Sequence, residues 1–371
     1  MKSKSIIISV SNDLCHDQRV AKVCESLNKQ GYDVLLVGRK LNNSQPIVRD
    51  YKTHRIKLLF NQGFLFYAEF NFRLFFYLLF KKTHVYHSND LDTLLANWLS
   101  AFLRRKKIVY DTHEYFTGVP EIQNKPIIKW FWQTIEKIIF PRLTHVFTVN
   151  ESIANLYEKD YGVKPKIMRN IPSKKDIVKL KNREDLNLPF DKIVVILQGA
   201  GINVDRGSEE LIEAIATSND FFLCVVGGGD VIDVLKKRCL NTDLVDKVKF
   251  VGKLPYEKMM QYTFNSNIGV SLDKDTNINH KFSLPNKIFD YMKAGIPTLA
   301  TDLVEVSNVI SSFNIGYTIN DLKPETIVNG LEHLTECLKK DEFKDNFALA
   351  SSKLNWENES KKLIELYDEI C

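Results

Sequence analysis

Short runs of apolar, β-branched residues alternate along this chain with longer stretches whose apolar positions recur at helical spacing. In the first half the runs fall at residues 6–10, 34–37, 56–60, 84–87, 108–110, 146–149 and 166–168. Between the first two lies DQRVAKVCESLNKQG, where Val20, Val23 and Leu27 stand at i, i+3 and i+7. Asp17 is placed to cap that helix and Gly31 to end it, which makes a βαβ unit. The second half restarts the pattern with runs at 193–197, 222–226, 248–251, 268–272, 298–300 and 315–319, separated by segments such as SEELIEAIA and LPNKIFDYMKAG. Near-continuous apolar strands separated by helices are the mark of parallel sheets covered on both faces. The reading is therefore α/β, with two doubly wound, Rossmann-like domains over residues 1–172 and 190–354, and the polar segment 172–189 as their boundary. Ligands of open α/β sheets sit outside the carboxyl ends of the strands, so the cleft between two such domains is the expected site.

The length of 371 residues agrees with two domains, and 44% apolar content excludes a disordered chain. The net charge of +5 hides a split. Residues 1–180 carry 29 Lys+Arg against 16 Asp+Glu (+13), and residues 181–371 carry 22 against 30 (−8), which points to an anionic partner near the first half. Six scattered cysteines without a CxxC or zinc spacing fit a reducing compartment. The start, MKSKSIIISVSND, has too short an apolar run for a secretory signal and reads as a first strand. The greasiest stretch, FLFYAEFNFRLFFYLLF at 64–80, is interrupted by Glu69, Asn71 and Arg73, so no membrane span is expected there.

Three segments carry candidate chemistry. In SLPNKIFDYMKAGIPTLATD (283–302), Pro285 can open a helix and Gly295 can close it. Asn286 and Lys287 then project from a first turn whose free N–H groups favour a phosphate, and Asp290, one turn on, is placed to accept from ribose hydroxyls. In LQGAGINVDRGSEELIEAI (197–215), a strand ends at a loop containing Gly199, and Arg206-Gly207 precede a helix with Ser208 as its expected N-cap. An Arg fork there suits a diphosphate. YDTHEYFTGVP (110–120) puts Asp111, His113 and Glu114 after an apolar strand, with His113 as a candidate base or hydroxyl-orienting group. The GGG at 227–229 reads as a tight strand-to-helix turn. Of the two DxD matches, Asp90-Leu91-Asp92 reads as a helix start capped by Ser88 or Asn89, and Asp273-Lys274-Asp275 as a polar loop.

Taken in order, DQRVAKVCESLNKQGYDVLLVGR, YHSNDLDTL, VYDTHEYF, VFTVNESIANLYEKDYG, the Arg-Gly after a strand, VVGGGD, KFVGKLPYEKMMQY and LPNKIFDYMKAGIP resemble the family-four glycosyltransferases with the GT-B fold. The resemblance covers nearly the whole chain. It implies transfer of a sugar, with retention and without a metal or cofactor, from a UDP- or GDP-linked donor bound mainly on the second domain to an acceptor on the first. The last helix, about 355–371, is implied to pack back on the first domain. The donor is expected on Gly199, Arg206, Asn286, Lys287 and Asp290, with His113, Arg206 and Lys287 in catalytic roles. The family's two acidic positions eight residues apart fall here on Phe282 and Asp290, and its Arg and Lys phosphate pair on Ala200 and Arg206. Only one cation of that pair survives, so Lys287 is expected to supply the other. His113 is then expected to position a sugar.

The acceptor is expected to be a glycan or lipid-linked sugar in surface polysaccharide biosynthesis. Ten aromatics within residues 60–80, with basic groups around them, lead to the expectation of a cytoplasmic protein docked on the anionic inner face of the membrane, with no nucleic-acid partner. Two other readings compete: a catalytically silent subunit that binds a nucleotide sugar, and a sugar-nucleotide epimerase.

Overall fold

In the computed structural model, which describes residues 4–15, 17–174, 177, 179–240 and 244–371, the chain forms two compact units: Met1–Asn170 with Glu357–Cys371, and Ile171–Trp356. The first three residues of the N-terminal segment, and Lys175, Asp176 and Val178 of the expected boundary, lie outside the described residues.

The first unit holds strands β1 (Ser5–Ser9), β2 (Asp33–Lys40), β3 (Lys52–Lys57), β4 (Val85–Asn89), β5 (Lys107–Thr112), β6 (Val146–Thr148) and β7 (Lys166–Ile167). Its main helices are α1 (Gln18–Lys29), α2 (Gly63–Phe80), α3 (Leu91–Arg104), α4 (Pro120–Gln123), α5 (Pro126–Ile139) and α6 (Glu151–Tyr161). The strands pair in parallel in the order β3-β2-β1-β4-β5-β6-β7. That order reverses direction between β1 and β4, the position at which a doubly wound sheet opens a crevice at its carboxyl edge. Helix α1 starts as expected, because the Val20 amide donates to the Asp17 carboxylate at 3.0 Å.

The second unit repeats the plan with β8 (Ile193–Gly199), β9 (Phe221–Gly227), β10 (Val248–Gly252), β11 (Ile268–Ser271), β12 (Thr298–Thr301) and β13 (Gly316–Ile319). Its helices are α7 (Ser208–Thr217), α8 (Ile232–Leu240), α9 (Tyr256–Phe264), α10 (Ile278–Lys281), α11 (Asn286–Ala294), α12 (Val304–Phe313), α13 (Pro324–Lys339) and α14 (Lys344–Lys353). The strands are again all parallel, in the order β10-β9-β8-β11-β12-β13, with the reversal between β8 and β11. The crossing from β8 to β9 is tight: a Cβ on Gly227, at φ +150°, would lie 1.8 Å from the Gly199 carbonyl. That close approach accounts for one glycine of the GGG segment.

The last helix, α15 (Trp356–Ile370), belongs from Glu357 onward to the first unit. There Tyr367 is fully buried with its hydroxyl 2.8 Å from His87 Nδ1, and the Arg169 amide donates to Glu359 at 2.9 Å.

Three local expectations need correction. Asp90, at φ 55°, is the N-cap of α3; Ser88 bonds Thr93 and Asn89 donates to the Ser9 carbonyl instead of capping. Helix α7 is capped by Gly207 rather than Ser208, whose hydroxyl donates to Glu209. Despite its polar interruptions, α2 is long and apolar enough to cross a membrane, with 18 residues and mean hydropathy 1.2. One stripe of it, Phe66, Phe70, Leu74 and Leu78, is part of the unit's core.

Candidate active site

Each unit gathers its polar chemistry at the carboxyl edge of the central strands. In the second unit the chain leaves β11 through Leu272 into Asp273, which is 1% exposed. Gly207 lies directly against this turn. A Cβ there would sit 2.2 Å from the Leu272 carbonyl, and its φ of +69° disfavours any other residue. The close approach brings the neighbouring Arg206 onto Asp273, with Nη1 donating to Oδ1 at 3.0 Å. Arg206 Nε and Asp273 Oδ2 are buried without a partner among the described residues.

Helix α11 starts beside this pair. Pro285 precedes its first residue and Gly295, at φ 72°, closes it, as the spacing implies. The N–H groups of its first turn have no partners within the helix and carry partial positive charge. Asn286 is exposed, and Lys287 has no hydrogen-bond or ion-pair partner among the described residues. Burial lowers the Lys287 pKa, Asp273 raises it and the Arg206 charge lowers it, with a net downward shift. That balance places Lys287 within the electrostatic reach of both partners. His280, on α10, joins the group: burial and Arg206 lower its pKa, and its Nδ1 is 3.2 Å from the Thr276 hydroxyl. Two cations within electrostatic reach of Asp273, one of them on the first turn of a helix, make an electropositive group of the kind that suits an anion.

Asp290 behaves differently from the expectation. It is 7% exposed and turned inward, with Gln198 Nε2 donating to one oxygen at 3.1 Å and the Tyr256 hydroxyl to the other at 2.7 Å. Gly199 ends β8 and its carbonyl accepts from the Gly228 amide at 3.2 Å, so it shapes the loop. Ala200 is exposed, and Phe282 is the residue that ends α10.

In the first unit, Asp111 at the end of β5 is fully buried and held bidentately by Arg19, at 2.7 and 2.9 Å. The third guanidinium nitrogen donates to the Met168 carbonyl at 2.7 Å. His113 follows two residues later. Its amide donates to Asp90 at 2.9 Å, its Nδ1 is 3.2 Å from the same carboxylate, and its Nε2 lies 3.6 Å from Asp111 without a hydrogen-bond partner. Burial would lower the His113 pKa, but the Asp90 carboxylate, followed by Asp111, outweighs burial and raises it to about 10. A raised pKa favours the protonated ring, which suits a hydrogen-bond donor. Nearby Asp92 is pushed up to about 7 by burial and by the Asp90 charge, while the Ser11 hydroxyl donates to it at 2.5 Å.

Arg206 and Lys287 thus lie in the second unit within electrostatic reach of each other, and His113 belongs to the first unit. Sequence reasoning missed Asp273, His280, Asp90 and Arg19 as members of these groups. The signal for the two aspartates was present, since each directly follows a central strand, where reactive groups of α/β folds collect. Neither DxD acts as a unit: Asp90 holds His113 while Asp92 faces Ser11, and Asp273 holds Arg206 while Asp275 pairs with Lys281 at 3.5 Å.

Residues 17–173 match the model of glycosyltransferase family 4, and residues 178–354 match that of the group 1 glycosyl transferases. The chain belongs to glycosyltransferase family four. No curated protein matches this glycosyltransferase in sequence. Its fold is similar to that of sucrose-phosphate synthase from Thermosynechococcus elongatus, with a TM-score of 0.79 at 16% identity over 99% of both chains. A glycosyltransferase from Rickettsia africae aligns with a TM-score of 0.76 at 12% identity, over 100% of this chain and 99% of that one. HepE of Anabaena, solved in complex with UDP-glucose, aligns with a TM-score of 0.72 at 14% identity, over 98% and 99% of the two chains. These likenesses assign the glycosyltransferase the two-domain GT-B fold.

Proposed function

We propose that this glycosyltransferase moves a sugar from a UDP- or GDP-linked donor to a glycan or lipid-linked acceptor of a surface polysaccharide, with retention at the anomeric carbon. The observation that carries the reading is the convergence of Arg206, Lys287 and the N-terminus of α11. As the glycosidic bond breaks, negative charge grows on the leaving diphosphate while the sugar approaches an oxocarbenium ion. Fixed cations and helix amides already aimed at that charge lower the barrier without reorganising. In this reading they do so without a metal or other cofactor. HepE binds UDP and UDP-glucose, which supports a nucleotide-sugar donor here.

Asp273 orients Arg206, and Tyr256 yields Asp290 to the donor ribose. His113, held by Asp90 and facing Asp111, positions a sugar and takes no proton. Proton removal from the acceptor falls to the leaving phosphate on a front-face route. Six scattered cysteines without a CxxC or zinc spacing support a reducing, cytoplasmic setting in this reading.

The inward turn of Asp290 and the apolar Phe282 favour a second reading, a silent subunit that binds a nucleotide sugar and transfers nothing. Turnover of UDP- and GDP-sugars by the wild type and by Arg206→Ala and Lys287→Ala separates the two. Transfer or donor hydrolysis that both variants abolish supports transfer; nucleotide binding without any turnover supports the silent subunit.

A further inference from the structure

Helix α2 is apolar over most of its surface, yet only its Phe66, Phe70, Leu74 and Leu78 stripe is fully buried, with Tyr67, Phe75 and Tyr77 partly so. A helix of that kind is ordinarily enclosed by protein or by lipid. Here a second stripe, Phe72, Phe76 and Phe80 at i, i+4 and i+8, is 65, 41 and 79% exposed. The apolar surface continues at the end of α3, where Phe102 and Leu103 are exposed, and the two helix ends are tied together. Arg104 Nη1 donates to the Leu79 and Lys81 carbonyls at 2.6 and 2.7 Å. It continues further along α5, where Ile127 and Trp130 are exposed. Between α2, α3 and α5 lies a cavity of about 240 Å³ whose lining is apolar apart from Asn71.

The charge of this surface has one sign. Helices α2, α3 and α5 carry one acid each among the described residues: Glu69 is paired with Arg73, and Asp92 and Glu136 are buried. The exposed cations Lys81, Lys82, Arg105, Lys106 and Lys107 follow Phe80 and Phe102 closely in the chain, at the joined helix ends. An exposed apolar patch flanked by cations complements a bilayer with anionic headgroups: the rings reach the acyl boundary while the ammonium and guanidinium groups stay at phosphate level.

We propose that the joined ends of α2 and α3 dock this protein peripherally on an anionic bilayer, with Phe80 and Phe102 inserted and the cavity available to a lipid chain. The proposal is independent of the donor chemistry, because its test needs no turnover.

Flotation with vesicles of phosphatidylcholine and phosphatidylglycerol in equal parts, compared with phosphatidylcholine alone, is the direct experiment. Binding to the mixed vesicles that disappears in high salt is expected. Each basic residue near a membrane surface contributes about 1 kcal/mol, so Lys82→Glu with Arg105→Glu weakens binding at least about thirtyfold. Phe80→Ser with Phe102→Ser weakens binding without shifting the thermal midpoint, since both rings are already exposed. Absence of binding, or equal binding to the two vesicle types, overturns the proposal. So does a dimer in sedimentation velocity that the same Phe pair dissociates, for then a second copy of the chain covers the patch.

Discussion

Arg206 and Asp273, 67 residues apart in the chain, meet through one hydrogen bond of 3.0 Å, and the remaining nitrogen and oxygen groups of the pair are not drawn into a bidentate clamp. The carboxylate is 1% exposed and the arginine 30%. Asp273 thus fixes the direction of the guanidinium while leaving part of its fork for an anion. Asp273→Ala is expected to cost about 1–3 kcal/mol of stability and to weaken UDP and GDP binding, although it removes a negative charge. Asp273→Asn keeps the acceptor oxygen and retains most of the affinity. Tighter nucleotide binding by Asp273→Ala would show that the carboxylate opposes the ligand instead of positioning Arg206.

Arg19 and Asp111 form the opposite kind of pair, bidentate and wholly buried. Burial raises the Asp111 pKa, but the Arg19 charge and His113 outweigh it and hold the carboxyl well below the usual carboxylate range. A depressed folded value means that the stabilisation is complete above the unfolded value of about 4 and is lost as pH falls through the folded one. Arg19→Ala leaves an uncompensated buried charge and is expected to cost about 3–5 kcal/mol. Arg19→Lys recovers little of this, because an ammonium lacks the three-way fork. Urea unfolding at neutral and acid pH measures both effects, and the gap between wild type and Asp111→Asn should narrow in acid.

His113 and His87 titrate on opposite sides of an ordinary histidine. The carboxylates of Asp90 and Asp111 raise His113 to about 10, whereas burial lowers His87 to about 4. In an NMR titration neither ring should change charge near neutral pH. The raised value of His113 contributes stability that is full below about 6.5 and lost as pH rises through about 10. Asp90→Asn should bring the His113 midpoint down toward neutrality. A His113 midpoint near 6.5 in the wild type would contradict the pairing.

The apolar runs marked all thirteen strands among the described residues, because parallel strands covered on both faces must be apolar throughout. The exception in detail is β3, placed four residues late. It lies at the sheet's edge, and its Lys52, Thr53, His54 and Arg55 carry no apolar period. Arg206 and Lys287 were legible because a glycine turn and a helix start leave local marks. Asp273 and Asp90 left only the mark of standing just after a central strand, and Arg19 none, since what defines their roles is a partner 67, 23 or 92 residues away. Asp290 was read from local spacing alone. Helical spacing placed it one turn from Lys287, and only the distant Gln198 and Tyr256 turn it inward.

Calorimetric titration of UDP and GDP into the wild type, Arg206→Ala and Lys287→Ala tests the central claim, that these two cations hold the donor's diphosphate. Removing a hydrogen bond to a charged group costs about 1.5–3 kcal/mol, so each variant should bind the preferred nucleotide about ten to a hundred times more weakly, Lys287→Ala keeping its thermal midpoint without ligand and Arg206→Ala, which strips Asp273 of its partner, lowering it. Wild-type affinity in both variants would place the diphosphate elsewhere and contradict the account.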